Sequence, residues 1–526
     1  MTFARKRRGA LLAGASGLVF AASTPPIDLQ SGILLGLAGF ALALKLPAPE
    51  DAKKVVRAGA WRGFFFGLAA NLLALRFVPE VLARFTPLPA VANWLALVLL
   101  SAAQALPWAI GGAIAAWLAR PNADARRPKA PGFLAFATGL FAATFVPAVF
   151  PWTPAGGLAN WPVLLQTAEL VGERGTSFLV AIACGLVADG IAPSSRGGAR
   201  ARPLAFAAAL FGLLTIYGAL RMRAVDAARA GAPRAKVALL QPDFDATFRW
   251  EEHRVTLMMD RLSALTKRAE ESGAILTVWP ESAYPYTLAH GVKSSPHGNR
   301  AVLQQGVRGP VLTGAYLTKG GGLGTNSAIL VLPNGSIGPS YDKRHLLWFG
   351  ETVPFADTFP ILRQIFARGT GLAPGTESVA FRTGPIVATV LNCYEDTLPQ
   401  AGREAMEERP NLLVNVTNDA WFAGSAEGEL HLRLAVLRSI EARRDLVRAV
   451  NRGPTSWVDA AGRVVARRDP TPGLGPSPPL LAEVALLDAP VTPYTRYGDA
   501  PLAALVVVTL ALPALRRRSA RSRDGT

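Results

Sequence analysis

Cysteine is almost absent from this chain: two residues in 526, Cys184 and Cys393. Two thiols form at most one bridge, which excludes a disulfide framework for a chain of this size. Histidine is scarce too, five in all. No His/Cys cluster with metal-ligand spacing occurs, so neither a metal nor another cofactor is expected. Charge is thin: 17% of residues are charged, against about 25% in a soluble globular protein. Half of the residues are hydrophobic and the mean hydropathy is +0.27, which places part of the chain in lipid. Acidic residues are the scarcer sign, 37 Asp and Glu against 55 Lys and Arg, leaving a net charge of +18.

That excess does not read as a nucleic-acid surface. The basic residues fall in clusters at 5–8, 53–57, 120–129, 196–202 and 516–523, each beside an apolar segment. This is the pattern of cytoplasmic loops flanking membrane spans. Seven apolar segments precede residue 225, at 9–23, 28–46, 58–78, 90–119, 131–150, 175–193 and 203–221. Most approach the ~20 residues that cross a bilayer. With RKRR at 5–8 inside, the basic loops 47–57, 120–130 and 194–202 all fall inside, and the poorly charged loops 24–27, 79–89 and 151–174 fall outside. The chain then emerges outside near residue 222. An eighth apolar stretch, 499–515, returns it to a basic tail. The expected division is 1–224 for a membrane domain of seven helices, 225–494 for a domain outside the membrane, and 495–526 for the last span and tail.

Between 235 and 488, short β-branched runs (KVALLQ, AILTVWP, GPVLTGAYL, SAILVLP, IVATVLN, NLLVNVTN) alternate with helical stretches such as 251–271 and 428–447. This predicts an α/β domain. PNGS at 333–336 is a hairpin signal, because Asn-Gly supplies positive φ. Three chemically capable residues stand at expected strand ends: Glu281 in VWPESAYPY, Lys343 in SYDKRHLLWFGETVPF after the second arm of that hairpin, and Cys393 in VLNCYED. Met at one sheet rim, they would divide the labour of acyl transfer. Glu281 would take the thiol proton, Lys343 would favour the thiolate and an oxyanion, and Cys393 would attack. A helix starting after Cys393 would add its dipole, and the Tyr394 N–H could complete an oxyanion hole. Taken singly, each residue reads more simply: a cysteine after a strand is usually structural, and a Glu or Lys beside a turn is usually solvated. Cys184, inside VAIACGLVA, reads as a buried, inert thiol.

WPES around 281, YDKRHL–FGE–VP at 341–354, NCYED at 392–396 and NDAWF at 418–422, in that order, resemble the nitrilase superfamily and its Glu-Lys-Cys triad. With the membrane segments, almost the whole chain resembles the apolipoprotein N-acyltransferase family. The resemblance implies a membrane helical bundle of about eight transmembrane helices carrying a nitrilase-like αββα sandwich. It implies Glu281 as base, Lys343 as the lysine and Cys393 as nucleophile, with Glu351 assisting. Tyr394 and Glu395 would support the site, and Trp250 would lie near the substrate entrance. The implied reaction takes an acyl chain from a phospholipid, typically phosphatidylethanolamine, through a thioester. The acceptor is the α-amino group of the N-terminal diacylglyceryl-cysteine of a lipoprotein. The implied location is the bacterial inner membrane, with the catalytic domain on the periplasmic side and both termini cytoplasmic. Departures from the family pattern at Pro242, Trp348, Ala423 and Pro454 bear on donor and acceptor preference. His345 and His431, near the motifs, read as hydrogen-bonding scaffold residues.

Two other readings start from the same residues. A membrane-bound amidase would use the same triad with water as acceptor. A transporter or lipid-binding protein would carry a degenerate outer domain, but the N-terminal segments offer no acid–base set of their own beyond Asp189 and a few arginines near span ends.

Overall fold

The computed structural model describes residues 3–46, 51–120, 129–192, 198–246, 252–320, 323–366, 371–470, 475–508 and 511. The chain forms two compact units, one of residues 1–83, 88–220 and 497–526, the other of 84–87 and 221–496.

The first unit is helical: α1 (Phe3–Ala21), α2 (Gly32–Lys45), α3 (Ala52–Ala74), α4 (Val78–Phe85), α5 (Ala90–Ala119), α6 (Gly132–Ala143), α7 (Ala168–Ile191) and most of α8 (Gly198–Gly231). Glycines at every fourth position of α3, Gly59, Gly63 and Gly67, let its backbone lie against α5. A methyl group at Gly63 would collide with the carbonyl oxygen of Trp108. Close approach through small residues is how helices associate where the surrounding solvent is as apolar as the side chains. Large apolar side chains such as Leu11, Val91, Trp94, Phe206 and Leu213 stay exposed on the helix surfaces, as a lipid-facing surface requires.

Helices cover each of the seven apolar segments, but their lengths differ from the sequence expectation. Among the described residues, three helices are long and apolar enough to cross a membrane, Ala90–Ala119, Ala168–Ile191 and Arg200–Gly231. A fourth is added if the pair Lys53–Ala74 and Val78–Phe85, bent by 56°, counts as one span. The helices Arg8–Ala21, Gly32–Lys45 and Gly132–Ala143 are apolar but shorter. Of the eighth stretch, 500–508 is helical and most of the remainder lies outside the described residues.

The second unit opens with β1 (Arg234–Leu239), α9 (Glu252–Glu271), β2 (Leu276–Val278), β3 (Leu288–Ala289), β4 (Val311–Gly320), β5 (Leu323–Val331) and β6 (Tyr341–Asp342). It continues with α10 (Ile361–Ile365), β7 (Ala380–Thr383), β8 (Ile386–Asn392), α11 (Pro399–Ala405), β9 (Leu412–Asn418) and α12 (Glu427–Ala442). The last strands are β10 (Asp445–Asn451), β11 (Thr455–Val458), β12 (Val464–Arg468) and β13 (Leu480–Ala485). One sheet has the order β13-β1-β2-β4-β5-β6, with β3 beside β4; the other runs β12-β11-β10-β9-β8-β7.

Period-two burial explains why the sheets stack. Ala235, Val237 and Leu239 on β1 meet Ile386, Ala388 and Val390 on β8 and Leu412, Val414 and Val416 on β9 in one shared core. The opposite face of the first sheet buries Val311, Ala315 and Ile329 against Met258, Met259, Leu262 and Leu265 of α9. Those four recur at helical spacing, so one stripe of α9 faces the sheet. α11 and α12 contact β8 and β10 of the second sheet. The layers are therefore helix, sheet, sheet, helix.

The hairpin at PNGS forms, with Gly335 at φ +77° and Leu332 N–H bonded to Ser336 O at 2.9 Å. The helix expected over 428–447 stops at Ala442, and 445–451 is a central strand instead.

Candidate active site

Both sheets contain a parallel core, β1-β2-β4 in one and β8-β9-β10 in the other. Parallel strands present their carboxyl ends on one side, and the loops that leave those ends carry the candidate residues. Glu281 follows β2, Lys343 follows β6, Cys393 follows β8, and Asn418 ends β9.

Each corner is held by backbone. At the first, Gly314 of β4 lies so close that a Cβ there would sit 2.6 Å from the Glu281 Cα. Trp279, wholly buried, anchors the approach by donating Nε1–H to Thr266 Oγ1 at 2.9 Å. At the second, Lys343 N–H donates to Asn326 O, and Gly375 N–H donates to Lys343 O, both at 2.8 Å. At the third, Cys393 itself has φ +53°, a left-handed conformation that costs a side-chain-bearing residue energy and persists only where the surroundings impose it. The Cys393 carbonyl accepts from Asn415 Nδ2 at 3.1 Å.

The expected helix after Cys393 is not a long one. Residues Cys393–Thr397 make a 3-10 turn, capped by Asn392 and Glu395, before the seven-residue α11 begins at Pro399. Pro399 supplies the reason, since proline is favoured at a helix start but ends whatever precedes it.

The structure brings Glu281, Lys343, Glu351 and Cys393 together. Lys343 Nζ is 2.7 Å from Glu351 Oε2 and 3.6 Å from Glu281 Oε1, with its side chain 1% exposed. Glu281 Oε1 accepts from Asn326 Nδ2 at 2.7 Å, and its Oε2 accepts from the Asn418 N–H at 3.0 Å. Asn326 Nδ2 also donates to Glu351 Oε1 at 2.7 Å.

Burial pushes the Glu281 carboxyl up; the Lys343 charge pulls it down, and Glu351 raises it again. Burial alone would lower the Lys343 ammonium, but Glu351, Glu281 and Cys393 hold it well above its usual range. Burial and then Glu281 push the Cys393 thiol well up, against the pull of Lys343. Lys343 favours the thiolate, but burial and Glu281 outweigh that pull. The arrangement sets the thiol beside the Glu281 carboxyl group and a held ammonium, placed for the thiol proton to move to Glu281 as bonding to carbon begins.

Glu395 is buried behind this group. Its carboxylate accepts from Tyr341 Oη at 2.8 Å and from the N–H groups of Asn392 at 2.7 Å, Arg344 at 2.7 Å and His345 at 3.0 Å. It fastens the Cys393 turn to the loop that follows Lys343. Tyr394 is largely buried, and that burial raises its phenol to about 12. Trp250 lies outside the described residues. His345 turns to Glu404, at 2.8 Å. Cys184 and Cys393 are both free thiols.

Residues 16–186 match the apolipoprotein N-acyltransferase N-terminal domain family, and residues 236–475 match the carbon-nitrogen hydrolase family. An apolipoprotein N-acyltransferase of Geobacter metallireducens is 30% identical, over 98% of this chain and 96% of that one. The chain belongs to the apolipoprotein N-acyltransferase family. A second relative of that name, from Azotobacter vinelandii, is 30% identical over 98% of this chain and 97% of its own. A solved amidase from Nesterenkonia sp. AN1 is 18% identical, with a TM-score of 0.37, covering 51% of this chain and 98% of that one.

For this family member, sequence reasoning missed the roles of Asn326, whose side-chain amide orients Glu281 and Glu351, of Asn392, whose amide holds Asn326, and of Asn418, whose backbone N–H holds Glu281. Their signal was present: an Asn within a β-branched run (GTNSAILVL) or at its end (VLN, NVTN) is a buried polar group that needs a partner. His431, read from the sequence as a hydrogen-bonding scaffold residue, is hydrogen-bonded on both ring nitrogens. Asp419, Glu427 and His431 bring three potential metal-ligand atoms within 4.8 Å of one another. His431 Nε2 is already 2.8 Å from Asp396 Oδ1, and Arg448 Nε is 2.9 Å from Asp396 Oδ2. A hydrogen-bonded network of ions accounts for that geometry.

Proposed function

We propose that this chain moves a fatty acyl group from a phospholipid, phosphatidylethanolamine in particular, to the α-amino group of the N-terminal diacylglyceryl-cysteine of a lipoprotein. The observation that carries the reading is the buried Glu281–Lys343–Glu351 constellation beside the Cys393 thiol, in a member of the apolipoprotein N-acyltransferases. Glu281 takes the thiol proton as sulfur attacks the ester carbonyl. Lys343 faces the oxyanion that forms. Collapse expels the lysophospholipid alkoxide, which recovers the proton from Glu281, and leaves a thioester on Cys393. The acceptor amine then attacks, Glu281 takes its proton, and collapse of the second intermediate returns that proton to sulfur as the amide is released. Glu351 holds Lys343, while Tyr394 and Glu395 shape the corner.

The reading includes a topology. Seven crossings precede about residue 222 and an eighth lies in 499–515. Both termini are cytoplasmic, and residues 225–494 form the catalytic domain on the outer side of a bacterial inner membrane. The basic loops support it through the positive-inside rule. Confining enzyme and lipid substrates to one plane raises their effective concentration.

Intact-mass spectrometry after incubation with phosphatidylethanolamine tests the chemistry. A hydroxylamine-labile acyl adduct on the wild type, absent from Cys393→Ala, is the expected result. Steady amide hydrolysis with no adduct would replace acyl transfer with an amidase reaction.

A further inference from the structure

Behind the nucleophile corner lies a buried charged cluster to which the acyl-transfer steps assign no task. His431, on α12, is 4% exposed. Its Nε2 is 2.8 Å from Asp396 Oδ1 and 3.3 Å from the Cys393 carbonyl oxygen. Its Nδ1 is 3.3 Å from Asp419 Oδ1. A ring with a carboxylate at each nitrogen satisfies both only when both nitrogens carry protons, so His431 is an imidazolium.

The surrounding charges agree. Burial opposes the charge on His431, but Asp396 and then Asp419 raise it well above the usual range, against Arg448. Glu427, whose Oε1 is 4.0 Å from Nδ1, is pushed up to about 8 by burial and by Asp419, so it is mostly neutral at pH 7. Arg448, whose Nε is 2.9 Å from Asp396 Oδ2, shares that carboxylate with the ring.

The two anions belong to different corners. Asp396 lies in the turn that starts at Cys393. Asp419 follows Asn418, whose N–H holds Glu281. β8 and β9, which lead into these corners, are parallel neighbours. One ring thus fastens the strand end that carries the thiol to the strand end that holds the base. It also offers the Cys393 carbonyl a donor besides Asn415, at the residue whose φ of +53° most needs support.

We propose that His431 is a positioning residue: its imidazolium, clamped between Asp396 and Asp419, keeps the Cys393 corner and the Glu281-holding Asn418 amide in register. This rests on Cys393 and Glu281 acting as nucleophile and base.

The test uses the full-length protein in detergent and measures the rate of acyl-adduct formation on Cys393 against phospholipid concentration and pH, with Cys393→Ala as blank. His431→Gln should lower the maximal rate on the order of 10²-fold, the cost of an ångström of misplacement, with the half-saturating phospholipid concentration unchanged. Asp419→Asn keeps the side-chain shape and the Asp396 contact but removes a charge that raises His431. Its rate should therefore begin to fall at lower alkaline pH than the wild type's, as the ring loses its proton earlier. If His431→Gln does not fold, that displaced limb alone decides. A wild type without adduct overturns the nucleophile assignment itself. A wild type with adduct overturns the role of His431 in either of two cases: His431→Gln stays within twofold or loses only phospholipid affinity, or the Asp419→Asn profile superimposes on the wild type's.

Discussion

The side-chain amide of Asn392 donates to the side-chain carbonyl of Asn326 at 3.2 Å. Asn326 lies on β5 of one sheet and Asn392 ends β8 of the other, so a polar bond joins the two sheets beside an otherwise apolar core. Asn326 also spends both amide hydrogens on carboxylates, those of Glu281 and Glu351. Asn326→Ala should lower acyl-adduct formation on the order of 10²-fold by releasing both carboxylates. It should also cost about 1–3 kcal/mol of stability, because buried acceptors lose their donor. Thermal unfolding in detergent and adduct kinetics measure the two effects separately.

Glu351 raises the Glu281 carboxyl, so its removal has a definite sign. In Glu351→Gln, Glu281 should lose its proton at lower pH, and the acid limb of the adduct-formation rate should move down the pH axis. The plateau should fall, since Lys343 loses the carboxylate at 2.7 Å. An acid limb that stays put would separate Glu281 from the titrating base.

Gly314 marks where β4 passes under the Glu281 turn. In Gly314→Ala the added methyl group, 2.6 Å from the Glu281 Cα, must displace that backbone. An overpacked site of this kind costs about 1–3 kcal/mol. Activity should fall further than stability does, and circular dichroism with kinetics on the same sample compares them.

Glu427 is pushed up to about 8 from an ordinary 4.5. A group whose folded pKa exceeds its unfolded one favours the fold at low pH and loses that contribution as pH rises through the folded value. The wild-type unfolding temperature should therefore decline between about pH 4.5 and 8. Glu427→Gln should flatten that decline and be the more stable protein above pH 8. Unfolding temperature across a pH series reads this directly.

Much of the catalytic unit was legible in the sequence. β1, β2, β4, β5, β8 and β9 announce themselves as β-branched runs; Glu281 and Cys393 follow two of them, and Lys343 follows the second arm of the hairpin. β10 was hidden because Asp445 and Arg448 interrupt its apolar pattern. Both are buried and paired, Asp445 with Arg229 at 2.9 Å and Arg448 with Asp396 at 2.9 Å, and local sequence cannot show partners so distant in the chain. The same limit concealed Asn326 and the partners of His431, which are brought close only by the fold. In the helical unit, hydropathy located the apolar segments but missed α4. It also put Glu169 and Glu173 in a loop, whereas both are buried within α7, which bends at Gly172.

The left-handed φ of Cys393 bears on how this position can change over generations. Glycine and asparagine rest comfortably in that conformation, and cysteine does not. Selection for heat resistance alone would therefore tend to exchange the thiol for one of them. A descendant chain that had lost acyl transfer but kept its fold should carry the mark of that loss first at residue 393.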